Sequence, residues 1–228
     1  MSKKKALIVV SLCALALLSA AIVLPGCAKK QDAAQATSDT QGRPTRVTAY
    51  EVVGFCKPAA NKWQDSNWMI QVRDGDQDGL GRDGKAKIWE VYFFSPTPEE
   101  STQLLVEYNR GYVWPSAPTA NKGGDDGRAI YAKGKPPDFR VDSPEVYTVG
   151  LRNGGGDYLD AHPDAQVHAA LRCKADYDAI SETMPAPKYK WVWDVTYRVP
   201  QAGAETLHIY VDGMNGDFIA KELKKPPA

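Results

Sequence analysis

The sequence predicts an α+β protein made of two similar halves, each a helix packed on an antiparallel sheet of three to four strands. A β-hairpin pattern that occurs twice is the main evidence. Two apolar rows have the same internal spacing of two residues, and the second row follows the first at an offset of 104 positions. The first row is Trp89, Val91 and Phe93, and the second is Trp193, Val195 and Tyr197. The return strands correspond at an offset of 103: Leu104, Val106 and Tyr108 in one, and Leu207, Ile209 and Val211 in the other.

The second observation is that polar residues alternate with these apolar rows. Residues two apart in a strand share a face, so the pattern is typical of a sheet with one buried face. The alternating polar positions are Glu90, Glu107, Asp194, Thr196 and His208. Two unrelated amphipathic hairpins would also alternate, but Trp-x-Val-x-aromatic followed by proline in both copies favours an internal repeat.

The N-terminus predicts export. Three lysines precede an apolar run at residues 6–24, followed by Leu24-Pro25-Gly26-Cys27. A basic start, an apolar run and small residues form a signal peptide, assigned here to residues 1–26. Residues 24–27 resemble the lipobox of bacterial lipoproteins. This resemblance implies a diacylglycerol on the Cys27 thiol and a chain anchored to a cell membrane or outer membrane. An uncleaved anchor helix is the alternative, since about 20 apolar residues span a bilayer.

Residues 27–46 are polar and without apolar periodicity, which predicts a flexible tether. Removal of residues 1–26 lowers Lys+Arg from 28 to 25 and leaves Asp+Glu at 28, so the mature net charge is about −3. Such a chain is not expected to bind nucleic acid. We expect its body to face the periplasm or the exterior.

Two cysteines remain after processing, Cys56 and Cys173. An even pair in an oxidising compartment predicts a disulfide, here joining the two halves. Two buried thiols are the alternative.

The first half, residues 47–111, starts with a helix capped by Thr48, on which Tyr50, Val53 and Cys56 share one side. Pro58 is expected to break or restart it. A strand at 68–72 and the hairpin at 87–108 follow.

An acidic loop at residues 74–83 begins with the D-x-D-x-D-G pattern of a calcium loop. Asp74, Asp76 and Asp78 are therefore candidate calcium ligands. Lys85 occupies position 12, where a calcium loop carries a bidentate acid. A solvated acidic turn is the alternative, and it is favoured.

Residues 112–141 are rich in glycine and proline, which predicts an irregular connection. The second half, residues 142–228, starts with Asp142-Ser-Pro-Glu, a helix start with proline in the first turn. Glycines at 154–156 should end or kink this helix. A strand at 165–171, the hairpin at 191–212 and a polar tail from residue 223 complete the half.

Three segments of the second half resemble the family of PepSY-type domains. They are residues 208–219, with a strand ending in Val-Asp and a turn with glycine, and residues 140–145 and 155–159, which match the family's helix start and end. The resemblance covers residues 140–221 and reaches 47–111 only through the internal repeat. It implies a cystatin-like fold in each half and an association with peptidase inhibition or regulation.

No catalytic motif accompanies these features. The sequence has no H-E-x-x-H and no G-x-S-x-G, and two of its three histidines, His168 and His208, fall on the expected outer face of the sheet. We therefore expect a non-enzymatic binding or regulatory module without a cofactor, with the membrane and an envelope protein or peptidase as partners. The alternative is a protein that binds calcium at 74–83 or a small ligand in a cleft between the halves.

Overall fold

A computed structural model describes residues 42–96, 101–120, 135–174, 190–201 and 203–225. The predicted signal peptide, Cys27 and the tether up to residue 41 lie outside these ranges. Among the described residues, no helix has both the length and the apolarity to cross a bilayer.

Helices and strands occur in a similar order in both halves of the chain. The helical elements are α1 (Ala49–Trp63), α2 (Ser143–Gly150), a π-helical turn (Leu151–Gly155) and α3 (Gly156–Ala161). The strands are β1 (Trp68–Asp74), β2 (Ile88–Pro96), β3 (Ser101–Asn109), β4 (Tyr112–Pro115), β5 (Thr119–Ala120), β6 (Gln166–Lys174), β7 (Lys190–Arg198), β8 (Thr206–Asp212) and β9 (Phe218–Lys224).

The strands form one antiparallel sheet in the order β4-β3-β2-β1-β6-β7-β8-β9, and β5 pairs with β3. The order is mirrored about the β1–β6 pair, in which Val72 lies opposite Leu171. Each side contributes four strands in sequence order from the centre to the edge. The α+β class with an antiparallel sheet is confirmed.

The sheet buries the face that the sequence predicted. All six residues of the two rows that start at Trp89 and Trp193 are fully buried in one apolar core, which also contains Val52 and Cys56 of α1 and Val146 of α2. The alternating polar positions are only partly buried and lie on the opposite face.

A matching hydrogen bond ties each tryptophan row to its helix. The indole Nε1–H of Trp89 donates to the Val47 carbonyl at 3.0 Å, and that of Trp193 donates to the Val141 carbonyl at 2.9 Å. Both acceptors belong to the residue just before a helix N-cap, because Thr48 caps α1 and Asp142 caps α2. The two halves therefore fix the start of a helix on the sheet in the same way.

The two helix starts also bind each other. The Ser143 hydroxyl oxygen accepts the Ala49 N–H at 3.1 Å, and the Asp142 carboxylate accepts the Tyr50 N–H at 3.0 Å. The first N–H groups of a helix have no partner within it, so side chains from one half satisfy donors of the other.

One local prediction about α1 is wrong. The helix continues through Pro58 to Trp63, because packing of one face on the sheet outweighs the missing N–H of one proline. Its buried row contains Val52, Cys56, Ala59 and Ala60. Tyr50 is 43% exposed.

The interruption predicted at the glycines after α2 is confirmed. The π-helical turn separates α2 from α3, and Gly154 has a φ of +117°, which favours glycine. Two further strand assignments differ from the sequence prediction. Residues 112–115 form β4 rather than an irregular connection, and Leu223 belongs to β9 rather than to a tail.

Candidate functional site: an aromatic pocket beside α1

A pocket of about 380 Å³ lies between α1 and the segment at residues 135–139. Its remaining walls come from the start of β1, from Phe93 on β2 and from Trp191 on β7. Elements from both sides of the β1–β6 pair thus contribute to it. Most of its lining is aromatic or aliphatic, and a concave apolar surface with a few polar groups is the usual form of a small-molecule site. We call it the aromatic pocket.

Aromatic contacts hold the segment at 135–139 against the rest of the pocket. The Phe139 ring lies 4.5 Å from the Tyr50 ring and 6.0 Å from the Trp191 ring, measured between centroids. The Tyr50 hydroxyl donates to the Phe139 carbonyl, and the Trp191 indole donates to the Pro137 carbonyl at 2.7 Å. Since both polar ends of these aromatic side chains are satisfied, the wall is fixed without a ligand.

One row of α1 forms the opposite wall. Tyr50, Val53, Gly54 and Lys57 have the i, i+3, i+4, i+7 spacing of one helix face. An added Cβ at Gly54 would meet no atom within 4 Å, so the missing side chain keeps this part of the pocket open. Pro58 has no N–H, so the Gly54 carbonyl also lacks its usual helical donor beside the pocket.

The charged groups of the pocket are two lysines and one aspartate: Lys57, Lys135 and Asp138. Lys57 Nζ donates to the Asn67 side-chain oxygen at 2.9 Å and lies 5.5 Å from the centroid of the Phe93 ring. Burial first, and then the charge of Lys135, lower the pKa of the Lys57 ammonium, while Asp138 opposes them. The pocket therefore carries a net positive charge next to its apolar walls.

The polar groups of the pocket can bind a ligand. The described residues that line the pocket include no serine, cysteine or histidine. They supply aromatic surface, ammonium groups and a backbone carbonyl.

The carboxylates of the three candidate calcium ligands bind different partners. Asp74 is 1% exposed, accepts the Ala169 N–H at 2.6 Å and pairs with His168 Nδ1 at 2.7 Å. Asp76 accepts the Asp78 N–H, and the Asp78 carboxylate, 76% exposed, pairs with Lys87. The described part of the chain contains no group of three or more His, Cys, Asp or Glu side chains placed to hold a metal ion.

The predicted disulfide is not formed. Cys56 lies on α1 and Cys173 near the end of β6, and both side chains are buried with no bond between their sulfurs. Both side chains belong to the same apolar core, which corresponds to the alternative of buried thiols. Burial raises the pKa of the Cys56 thiol to about 12, which disfavours the reactive thiolate.

The two strand histidines lie on the open face, as predicted. His168 lies opposite Thr196, which lies opposite His208, and His208 Nδ1 is 2.9 Å from the Asp194 carboxylate. Each histidine therefore has a carboxylate partner: Asp74 for His168 and Asp194 for His208.

Sequence reasoning missed the aromatic pocket. The only signals were Gly54 inside an amphipathic helix and the Pro136-Pro137 pair just before Phe139. Neither signal shows that α1 and residues 135–139 meet.

Comparisons with known proteins add no family assignment: no protein-family model, curated protein or solved structure matches this chain.

Proposed function

We propose that this chain is a lipid-anchored, non-enzymatic binding protein of the bacterial envelope, and that its ligand occupies the aromatic pocket. The single observation that carries the proposal is the pocket itself, with walls fixed by side-chain contacts and an opening left by Gly54. The lipobox-like Leu24-Pro25-Gly26-Cys27 supports the anchor.

The lining indicates the class of ligand. Phe93, Phe139 and Trp191 offer flat apolar surface, which favours an aromatic or branched apolar body. Lys57 and Lys135 favour a carboxylate, sulfonate or phosphate on that body, because a charge-assisted hydrogen bond in a partly buried site outweighs a neutral one. The ligand class is therefore a small amphipathic anion.

Two fluorescent probes that differ mainly in charge test this proposal. The exported body, residues 32–228, forms one compact unit and is titrated with anionic anilinonaphthalene sulfonate and with neutral N-phenylnaphthylamine. Gly54→Leu should lower the affinity for both probes at least about tenfold, because the leucine side chain fills the opening. Lys57→Met should lower the affinity for the anionic probe about fivefold and the affinity for the neutral probe by less than about twofold.

Gly54→Ala is the matched control, because it adds one methyl group at the same helix position and should retain most of the affinity. Circular dichroism of each variant reports whether the fold is kept. Equal probe affinity in the wild-type protein and Gly54→Leu would show that the probes bind elsewhere and would contradict the pocket assignment.

The second candidate is peptidase regulation by two PepSY-like, cystatin-like halves. The mirrored strand order and the matching indole hydrogen bonds of Trp89 and Trp193 support two copies of one unit. On β9, Phe218 and Leu223 are 42% and 54% exposed, and the outer edge of a sheet can add an extended peptide strand.

Peptidase regulation has its own test. The purified body should slow cleavage of a protein substrate by an envelope peptidase fraction in a saturable way, and a proline in place of Ala220 on β9 should abolish the effect. Inhibition that is unchanged in Ala220→Pro would contradict a role for this edge.

A further inference from the structure

The first described residues lie against the turn between β3 and β4. The Tyr108 hydroxyl donates to the Pro44 carbonyl, and the Arg43 carbonyl would lie 3.3 Å from a Cβ added at Gly111. The polypeptide therefore enters the body next to this turn.

Two exposed aromatic residues follow the same turn. Tyr112 is 50% exposed and Trp114 is 46% exposed, and their ring centroids are 6.3 Å apart. They occupy alternate positions of the edge strand β4, with the buried Val113 between them, so both project from the open face of the sheet. Arg110, in the turn itself, is exposed as well.

Few residues separate this turn from the proposed lipid anchor. Cys27 precedes Gly42 by 15 residues. Fifteen residues span at most about 54 Å even when fully extended. Short tethers of this kind raise the local concentration of a surface into the millimolar range, where even weak contacts are populated.

We propose that Tyr112, Trp114 and Arg110 dock on the bilayer that carries the Cys27 lipid. Tyrosine and tryptophan have an apolar ring and a polar atom, which suits the headgroup region, and arginine binds lipid phosphate. Glu107, opposite Trp114, is half-buried and accepts a hydrogen bond from Asn109 at 3.1 Å. The inference rests on the lipid anchor of the proposed function.

Tryptophan quenching in vesicles tests the docking. The lipidated full-length protein is reconstituted in phosphatidylcholine–phosphatidylglycerol vesicles with or without acyl chains brominated near the headgroup. Brominated lipid should quench part of the wild-type emission, and Trp114→Phe should remove most of that quenching. Trp63→Phe, a change at a partly buried tryptophan at the end of α1, is the matched control and should keep it.

Flotation of the same samples reports the anchor separately. Wild-type protein should float with the vesicles, and Cys27→Ala should yield an unprocessed precursor without the lipid. Protein that floats with equal quenching in the wild type and Trp114→Phe would overturn docking alone. Wild-type protein without a lipid, or that does not float, would overturn the anchor and the docking together.

Discussion

Replacing Gly155 by alanine is expected to lower the free energy of unfolding by about 3 kcal/mol, because the added methyl group overpacks the core. A Cβ at Gly155 would lie 2.2 Å from Cζ of Tyr197. The Tyr197 ring is fully buried in the central core on β7, so it cannot move aside without displacing its neighbours. Urea unfolding followed by circular dichroism measures the loss.

Gly54→Ala is the control for this substitution. Both glycines lie in helical backbone, but a Cβ at Gly54 meets no atom within 4 Å. Alanine there should raise the free energy of unfolding by about 0.5–1 kcal/mol, because glycine is a poor helix former. Equal changes in the free energy of unfolding for the two substitutions would contradict the close packing of the π-helical turn on Tyr197.

Tyr197→Phe gives a second test of the same contact. The Tyr197 hydroxyl is buried without a hydrogen-bond partner in the described part of the chain, and burial raises its pKa. Removing it should be close to neutral alone and should recover part of the loss in Gly155→Ala, as neighbouring sites couple in a double-mutant cycle.

Asp74→Ala should also lower the free energy of unfolding by about 3 kcal/mol, because it removes a buried carboxylate and leaves its partners unpaired. The Ala169 N–H and His168 Nδ1 would both lose the acceptor that Asp74 provides. These groups lie where β1 meets β6, so the substitution weakens the pair of strands that joins the two halves of the sheet.

Asp78→Ala is the matched control in the same acidic loop. Its carboxylate is exposed and pairs with Lys87 at the surface, which predicts a change within about 0.5 kcal/mol. Similar losses for Asp74→Ala and Asp78→Ala would contradict the structural role of Asp74. Stabilisation of the wild-type protein by added calcium, lost in both variants, would instead revive the calcium hypothesis.

The sheet could be predicted because alternation along a strand reports burial directly. The rows at Trp89 and Trp193 were found in this way, as were the open-face histidines. The pairing of β1 with β6 could not be found, because periodicity does not tell which strands meet when about 100 residues separate them, as with Val72 and Leu171.

The candidate site was harder to predict because it depends on contacts between distant segments. Helical spacing correctly grouped Tyr50 with Val53, but an apolar row that lines a pocket looks like one that faces the core. The loop pattern identified Asp74 as a carboxylate of interest, but its partners on β6 become visible only in the fold.

A protein-detected NMR titration with naphthylacetate, a small amphipathic anion, tests whether the aromatic pocket binds such a ligand. We expect saturable shifts of the Gly54 amide and the Trp191 indole, both of which line the aromatic pocket, and loss of these shifts in Gly54→Leu. Saturable shifts confined to other parts of the protein, or no shifts at millimolar concentration, would contradict this expectation.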